Sequence, residues 1–424
     1  MGLFFNKKFV ENVKEINGKN KLLFCLLSIG LFVGFYFGED SSGGGSIVDF
    51  ASTWPLVENL FYYDGALEIK FPLHYYIASL IYYIVADKEV LRLIYVTASI
   101  FIPLLFYRCL KEKYQNIDIN NLFLFSLVLF LLPSVRTSAI WPNTQITGIF
   151  FFLISLLFFI KWENEKNYFQ ISKNLFFTLF FMSLTVYTRQ IYAIIFMYFV
   201  FIYFQKLEFK TFVKVCSIIF VFALPGFVYI IFYPNILSAT FDSSINNSLL
   251  VNSSIISFYL IPIYLISILF SEREKLEFNY KDLLVILLLL IIVVTLSKFF
   301  NYNFKMGGGF LMKVSLLFFN NFYLFFITSF LGFLTLYKLS KDGFNNLVLS
   351  LLIIFGISAY IIFQKYFEPM MILLFFLVYQ TQVSRKFLEN SKMIVAYLFF
   401  IFFYLLAALI NDYYNLNLSL NLNL

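Results

Sequence analysis

Histidine occurs once in 424 residues, at His74, and cysteine only three times, at Cys25, Cys109 and Cys216. The cysteines lie in or beside apolar stretches with no metal-ligand spacing, so they read as small apolar side chains and no zinc site is expected. Charge is the second scarcity. Only 13% of residues are Asp, Glu, Lys or Arg, against about 25% in soluble domains, which excludes an ordinary water-soluble protein. The run Gly307-Gly308-Gly309 is not followed by the Lys-Ser/Thr pair of a phosphate-binding loop, so it reads as loop flexibility rather than a nucleotide site. No internal repeat stands out.

What the chain has instead is apolar length. Hydrophobic residues make up 61% and aromatic residues 22%. Runs long enough to cross ~30 Å of hydrocarbon recur along it. They fall near 22–38, 93–107, 121–135, 145–160, 174–188, 191–205, 212–233, 255–270, 283–299, 314–337, 346–363, 369–381 and 394–410, with one further run at 71–86. The expected fold is an all-α polytopic membrane protein. The first run is longer than the apolar part of a signal peptide and many spans follow it, so it reads as a retained anchor.

Basic residues orient these spans. If 71–86 does not cross, the alternate loops that include the N-terminus collect more than two thirds of the 31 basic residues; if it crosses, they collect fewer than half. Basic loops stay cytoplasmic. The reading is therefore about thirteen transmembrane helices, with the N-terminus cytoplasmic, the C-terminus outside, and 71–86 a juxtamembrane helix on the outer face. Residues 1–21 form a cytoplasmic segment, 22–410 a single transmembrane domain, and 411–424, ending NLNLSLNLNL, a disordered low-complexity tail. The net charge of +7 belongs to this topology and not to nucleic-acid binding.

The outer loop 39–92 is the longest polar stretch between spans. It opens with Glu39, Asp40, Asp49, Glu58, Asp64 and Glu68 against a single Lys70. Glu39 and Asp40 read as solvated charges ending the first span, and Asp64, before Gly65, as a turn residue. Asp49 follows Gly43-Gly44-Gly45 and opens DFASTW, a stretch suited to a short amphipathic helix; a carboxylate there can serve as a general base. On the same face, Arg136, Arg189 and Lys365 stand at the ends of apolar runs, where a cation either snorkels to the headgroups or faces a polar cavity. Arg189 is in a tight joint, Tyr187-Thr188-Arg189-Gln190, and a guanidinium held there suits bidentate binding of a phosphate. Lys365 offers a second, point-like charge. Lys298, Lys305 and Lys313 read as interfacial anchors, and His74 either lines the same cavity or sits at the interface.

An outer acidic residue after the first span, then Phe71-Pro72-Leu73-His74-Tyr75-Tyr76, then Arg92, resembles the pattern of the GT-C superfamily of integral-membrane glycosyltransferases, with one proline where that family's motif has two. The segment RTSAIWPNTQITGIFFFLISLLFF from Arg136 looks like that family's segment entering the fourth span, and TRQIYA around Arg189 and Gln190 and QKYFEP around Lys365 and Tyr366 look like its later outer-face motifs. The resemblance implies a polyprenyl-phosphate-linked sugar as donor and no other cofactor, with a glycan or lipid-linked acceptor among membrane lipid. It implies Asp49 as the catalytic carboxylate and donor or acceptor contacts from Arg189, Lys365, Arg136, Gln190, Tyr366, His74 and Arg92. It also implies an active site on the outer side of a bacterial inner membrane. The sugar, the linkage, any divalent-metal requirement and the oligomeric state stay open, as do two other readings, an O-antigen polymerase using later loops and a lipid-linked oligosaccharide flippase.

Overall fold

Short polar side chains begin the helices. Asn17, Asp87, Asp118, Asn143, Ser172 and Asn279 each turn a side-chain oxygen onto a backbone N–H of the first turn that follows, filling donors a helix start leaves open. The computed structural model describes residues 14–42, 45–59, 71–166, 168–234, 245–270, 279–302, 307–359 and 361–422, with side chains to Asp412. Asp64, Glu68, Lys70 and Lys305 lie outside the described residues. Among the described residues there is no β-strand.

The chain packs as two compact units, one formed by 1–190, 213–226 and 388–424 and the other by 191–212 and 227–387. Unit 1 starts with α1 (Gly18–Phe37), whose 20 residues span about 30 Å. Its amino end is tied to a later helix: the Asn17 amide donates to Asn120 Oδ1 and Asn20 Nδ2 to the Asn120 carbonyl. Then come α2 (Gly45–Glu58), α3 (Leu73–Val85), α4 (Lys88–Ser99) and α5 (Phe101–Lys113). The last two form one apolar stretch of 26 residues. Next, α6 (Ile119–Ser126), α7 (Val128–Leu131) and α8 (Pro133–Ile140) make a bent pair. The chain turns by 64° at Leu132, whose extended backbone is what a following proline demands. The pair α9 (Thr144–Glu165) and α10 (Lys173–Thr188) interlocks through aromatics, with Phe158 and Phe181 stacked at 5.9 Å.

Unit 2 contains α11 (Ala193–Lys206) and the ends of α12 (Phe209–Phe232), whose middle belongs to unit 1. Its core is α13 (Ile245–Phe270), flanked by α14 (Tyr280–Lys298), α15 (Phe310–Phe319), α16 (Tyr323–Lys341) and α17 (Phe344–Gly356). A β-carbon on Gly332 of α16 would overlap the Ser253 carbonyl of α13. The two backbones touch there, and Ser254 and Thr328 share a hydrogen bond of 2.9 Å alongside. This is the small-residue contact of membrane helices, where close backbone approach replaces the hydrophobic drive. The chain ends with α18 (Met370–Leu377), α19 (Gln382–Glu389) and α20 (Ser391–Leu422), of which α20 belongs to unit 1 and remains helical beyond residue 410.

Against thirteen expected crossings, eight helices among the described residues are long and apolar enough to cross a membrane, or up to ten if each of two bent pairs counts as one. The difference has local causes. The run at 314–337, read above as one span, is two helices parted at Asn320, which takes a left-handed conformation, with the Ser315 hydroxyl bonding across the break to the Asn321 carbonyl and the Phe325 amide. The run at 369–381 belongs to a pair bent by 93°. Residues 71–86 contain the 13-residue α3, about 20 Å long and short of a ~30 Å core.

Candidate active site

The end of α1 builds the first part of the site. Gly38 closes the helix in the left-handed region, its N–H bonded to the Gly34 and Phe35 carbonyls, and the chain then drops Glu39 and Asp40 inward. Both are buried, contrary to the solvated charges expected from sequence. Glu39 takes the fork of Arg136 from α8, with Nε to Oε1 at 2.7 Å and Nη2 to Oε2, and the two side chains are 7% and 8% exposed. Arg136 Nη2 also donates to the Gly30 carbonyl. Gly34 makes the room, since a β-carbon there would overlap Glu39 Oε2.

Asp40, fully buried, anchors the start of α2. Its Oδ2 accepts the Ile47 amide at 2.7 Å, and its Oδ1 accepts the Ser42 amide and hydroxyl. A carboxylate at a helix amino end also meets the positive end of the helix dipole. Its own backbone N–H donates to Asp412 Oδ2 of α20. From this anchor α2 presents Asp49, half-buried, on its second turn, with Ser52 and Thr53 hydroxyls on the Asp49 carbonyl.

Trp141, just past α8, joins α2 to α4. Its indole N–H donates to the Glu39 carbonyl, its ring meets Phe50 at 5.8 Å, and Arg92 lies over it with the guanidinium carbon 3.6 Å from the ring centre. Arg92 is 5% exposed. Its Nε donates to the Ile140 carbonyl and its Nη1 to both oxygens of Glu89, while Nη2 is buried with no acceptor among the described residues. A buried donor of this kind calls for a ligand or water. Lys88, at the start of α4, sits over Phe50 and Trp54 at 5.0 and 4.8 Å, and Trp54 packs edge-on against Tyr82 of α3.

His74 is buried within the protein, 1% exposed, with Nδ1 2.8 Å from Thr147 Oγ1 of α9 and its ring against Tyr75 and Tyr95. Arg189, half-buried, caps α10 in an extended conformation with its N–H on the Thr185 carbonyl, and Gln190 opens a 3-10 turn. Thus Asp49, His74, Arg92, Arg136, Arg189 and Gln190 all belong to unit 1.

Lys365 and Tyr366 belong to unit 2, in the 3-10 turn Gln364–Tyr366. Both side chains meet the Phe363 ring. Around them is a network that sequence reasoning missed. The Tyr259 hydroxyl donates to Glu368 Oε2 at 2.7 Å and accepts from Gln364 Nε2 at 2.9 Å, while Gln364 Oε1 accepts the Phe310 amide that starts α15. Glu368 is 2% exposed. The glycines 307–309, expected to be flexible, are a fixed turn: all three have positive φ, and a β-carbon on Gly307 would meet the Ile362 carbonyl. The Tyr302 hydroxyl braces the same turn, accepting from the Gly308 and Ile362 amides, and its burial raises its pKa above the ordinary tyrosine value. The carboxylate of QKYFEP was visible in sequence; its tyrosine partner, 109 residues earlier, was not.

Among the described residues no group of three or more His, Cys, Asp or Glu side chains is arranged to hold a metal ion. No family model, curated protein or solved structure matches the chain.

Proposed function

We propose that this protein transfers a sugar from a polyprenyl-phosphate-linked donor to a glycan or lipid-linked acceptor at the outer face of a bacterial inner membrane. One observation carries the reading: Phe50, the neighbour of Asp49, and Arg92 pack on the same indole, Trp141. A helix bearing a carboxylate is thereby joined to a guanidinium whose Nη2 is a buried donor with no acceptor among the described residues. Asp49 takes the proton of an acceptor hydroxyl as its oxygen bonds to the sugar's anomeric carbon. The bond from that carbon to the phosphate oxygen breaks, and polyprenyl phosphate leaves with the electron pair. Arg92 and Arg189 receive its charge. Gln190 lies beside Arg189 in this scheme, and His74 braces α3 against α9. Arg136 is engaged by Glu39 and serves to hold the loop.

The test is transfer of labelled sugar from a polyprenyl-phosphate donor by the full-length protein in membranes, at varied donor concentration. Lysine keeps the charge but loses the planar fork. Arg92→Lys and Arg189→Lys should each raise the donor KM by roughly tenfold, equivalent to about 1.4 kcal/mol, with protein level unchanged. A donor dependence like that of the wild type in both variants would overturn the donor contact, returning Arg189 to membrane anchoring and Arg92 to packing on Trp141.

The finer topology is part of the same proposal: thirteen crossings, the N-terminus inside and the C-terminus outside, with 71–86 along the outer surface. Cysteines placed at Lys88 and Lys111 should label from outside and inside, respectively. The reverse pattern would invert every later loop.

A second reading, a polymerase with its site in later loops, is favoured by the Tyr259–Gln364–Glu368 network beside Lys365 and Tyr366. Glu368→Gln abolishing transfer while Asp49→Asn leaves it intact would select that reading.

A further inference from the structure

Tyr187 is in the last turn of α10, two residues before Arg189. Its hydroxyl donates to the Phe222 carbonyl and accepts from the Gly226 amide at 3.0 Å. Those two groups stand four residues apart on α12 and are the natural partners of a helical hydrogen bond. Pro225 lies between them inside the helix. It has no N–H to give to the Val221 carbonyl four residues earlier and its ring crowds that carbonyl, which loosens the neighbouring rung from Gly226 to Phe222. Inside a membrane, polar side chains from neighbouring helices commonly restore what a proline takes away, and here a phenol from α10 enters the ladder.

Two further contacts fix the ring itself. Gly226 leaves the space for it: a β-carbon there would be 3.0 Å from the Tyr187 ring and 3.2 Å from its hydroxyl. Phe71, the residue before Pro72, also meets the ring edge-on at 5.5 Å. One side chain therefore joins the start of the Phe71–Tyr76 motif, the end of α10 and the proline site of α12, all within unit 1. Beyond it the chain has one helical residue left, Thr188, whose hydroxyl bonds back to Thr185, and then Arg189, whose N–H is still bonded to the Thr185 carbonyl. A shift of Tyr187 passes to Arg189 with no loop to absorb it.

We propose that Tyr187 is the positioning residue for Arg189: its hydroxyl, held in α12 at Pro225, fixes the joint from which the guanidinium reaches the donor phosphate. This rests on the reading of Arg189 as a donor contact. It assigns Tyr187 an effect on donor binding that is separate from chemistry and from acceptor binding.

The experiment uses the full-length protein in lipid nanodiscs and compares wild type, Tyr187→Phe, Pro225→Ala, and the double variant. Phenylalanine keeps the packing on Phe71 and Gly226 and removes only the hydroxyl. Alanine at 225 restores an N–H to the Val221 carbonyl and removes the crowding ring, so α12 can close the rung from Gly226 to Phe222 itself and filling of a gap is separated from positioning. In Tyr187→Phe, hydrogen exchange of the Gly226 amide should rise by about tenfold, and donor KM by about fivefold, the scale of one hydrogen bond. The kcat and acceptor KM should stay within about twofold of wild type, as expected when only ground-state and transition-state donor binding weaken together.

In the double variant the Gly226 amide should be protected again while donor KM stays high. Recovery of donor KM there would overturn the proposal, because the hydroxyl would then only be filling the proline gap. Unchanged donor KM in Tyr187→Phe, with Arg189→Lys still impaired, would overturn it while leaving the donor-contact reading intact. Unchanged exchange at Gly226 would overturn the bridge itself. Wild-type donor dependence in Arg189→Lys would instead remove the reading on which it rests.

Discussion

Asparagine at Asp49 should lower sugar transfer by about 100-fold or more, the scale of a lost general base, without changing membrane insertion. The substitution keeps the size and hydrogen-bonding reach of the side chain and removes its ability to take a proton. Asp49 lies on a helix whose start is fixed by Asp40 and whose inward residues Phe50, Thr53 and Leu56 are buried, so a change of shape is not available as an alternative cause. Glu58, exposed at the end of the same helix, is the control: Glu58→Gln should stay within about twofold of wild type. Asp40→Asn should act on stability more than on kcat, since its oxygens serve the Ser42 and Ile47 amides. Equal losses in Asp49→Asn and Glu58→Gln would show that the base is elsewhere.

The second large effect is on stability. Glu39→Ala should destabilise the protein by about 3–5 kcal/mol, the cost of leaving one member of a buried pair without its counter-charge. Arg136 would then be a buried cation facing the Gly30 and Phe130 carbonyls alone. The thermal unfolding midpoint in detergent, with a fixed detergent and lipid content, is the measurement. Replacing both residues, Glu39→Leu with Arg136→Met, should recover most of the loss, because well-packed apolar pairs commonly match or exceed buried ion pairs. This double variant also separates two roles for Arg136. Near-normal donor KM in the rescued protein fits an arginine that holds the loop; a stable protein with donor binding lost would make Arg136 a donor contact. A Glu39→Ala protein as stable as wild type would show that the pair carries no such weight.

Composition and charge made much of the fold legible, and the reason is physical. Apolar length answers to the bilayer, and small polar caps answer to unfilled amides at helix starts, so both leave local marks. The broken elements left marks too, in hindsight: Pro133 explains the bend after α7, and Asn320-Asn321 the split of 314–337. What sequence could not tell was whom each charge meets. A carboxylate at the end of an apolar run looks the same whether it is solvated or paired, and Glu39 finds Arg136 97 residues away. Asp49 and His74 were legible as candidates because a polar residue is rare in such a chain, and Arg92 only through the resemblance to a family pattern. Tyr187 was not, because one tyrosine among 30 carries no signal until the amide and carbonyl it joins are seen together.

The pairing at the C-terminal end of α1 also has a timetable. Ribosomes deliver about 5–20 residues per second, so Glu39 waits roughly 5–20 s for Arg136 to be made. The backbone of Asp40 waits for Asp412, 372 residues later, which at the same pace is about 20–75 s. A helix made early is therefore among the last to be finished. During synthesis the Glu39 carboxylate needs water or a chaperone's polar surface, and a chain that stops before α20 leaves the loop carrying Asp49 without its tie to Asp412.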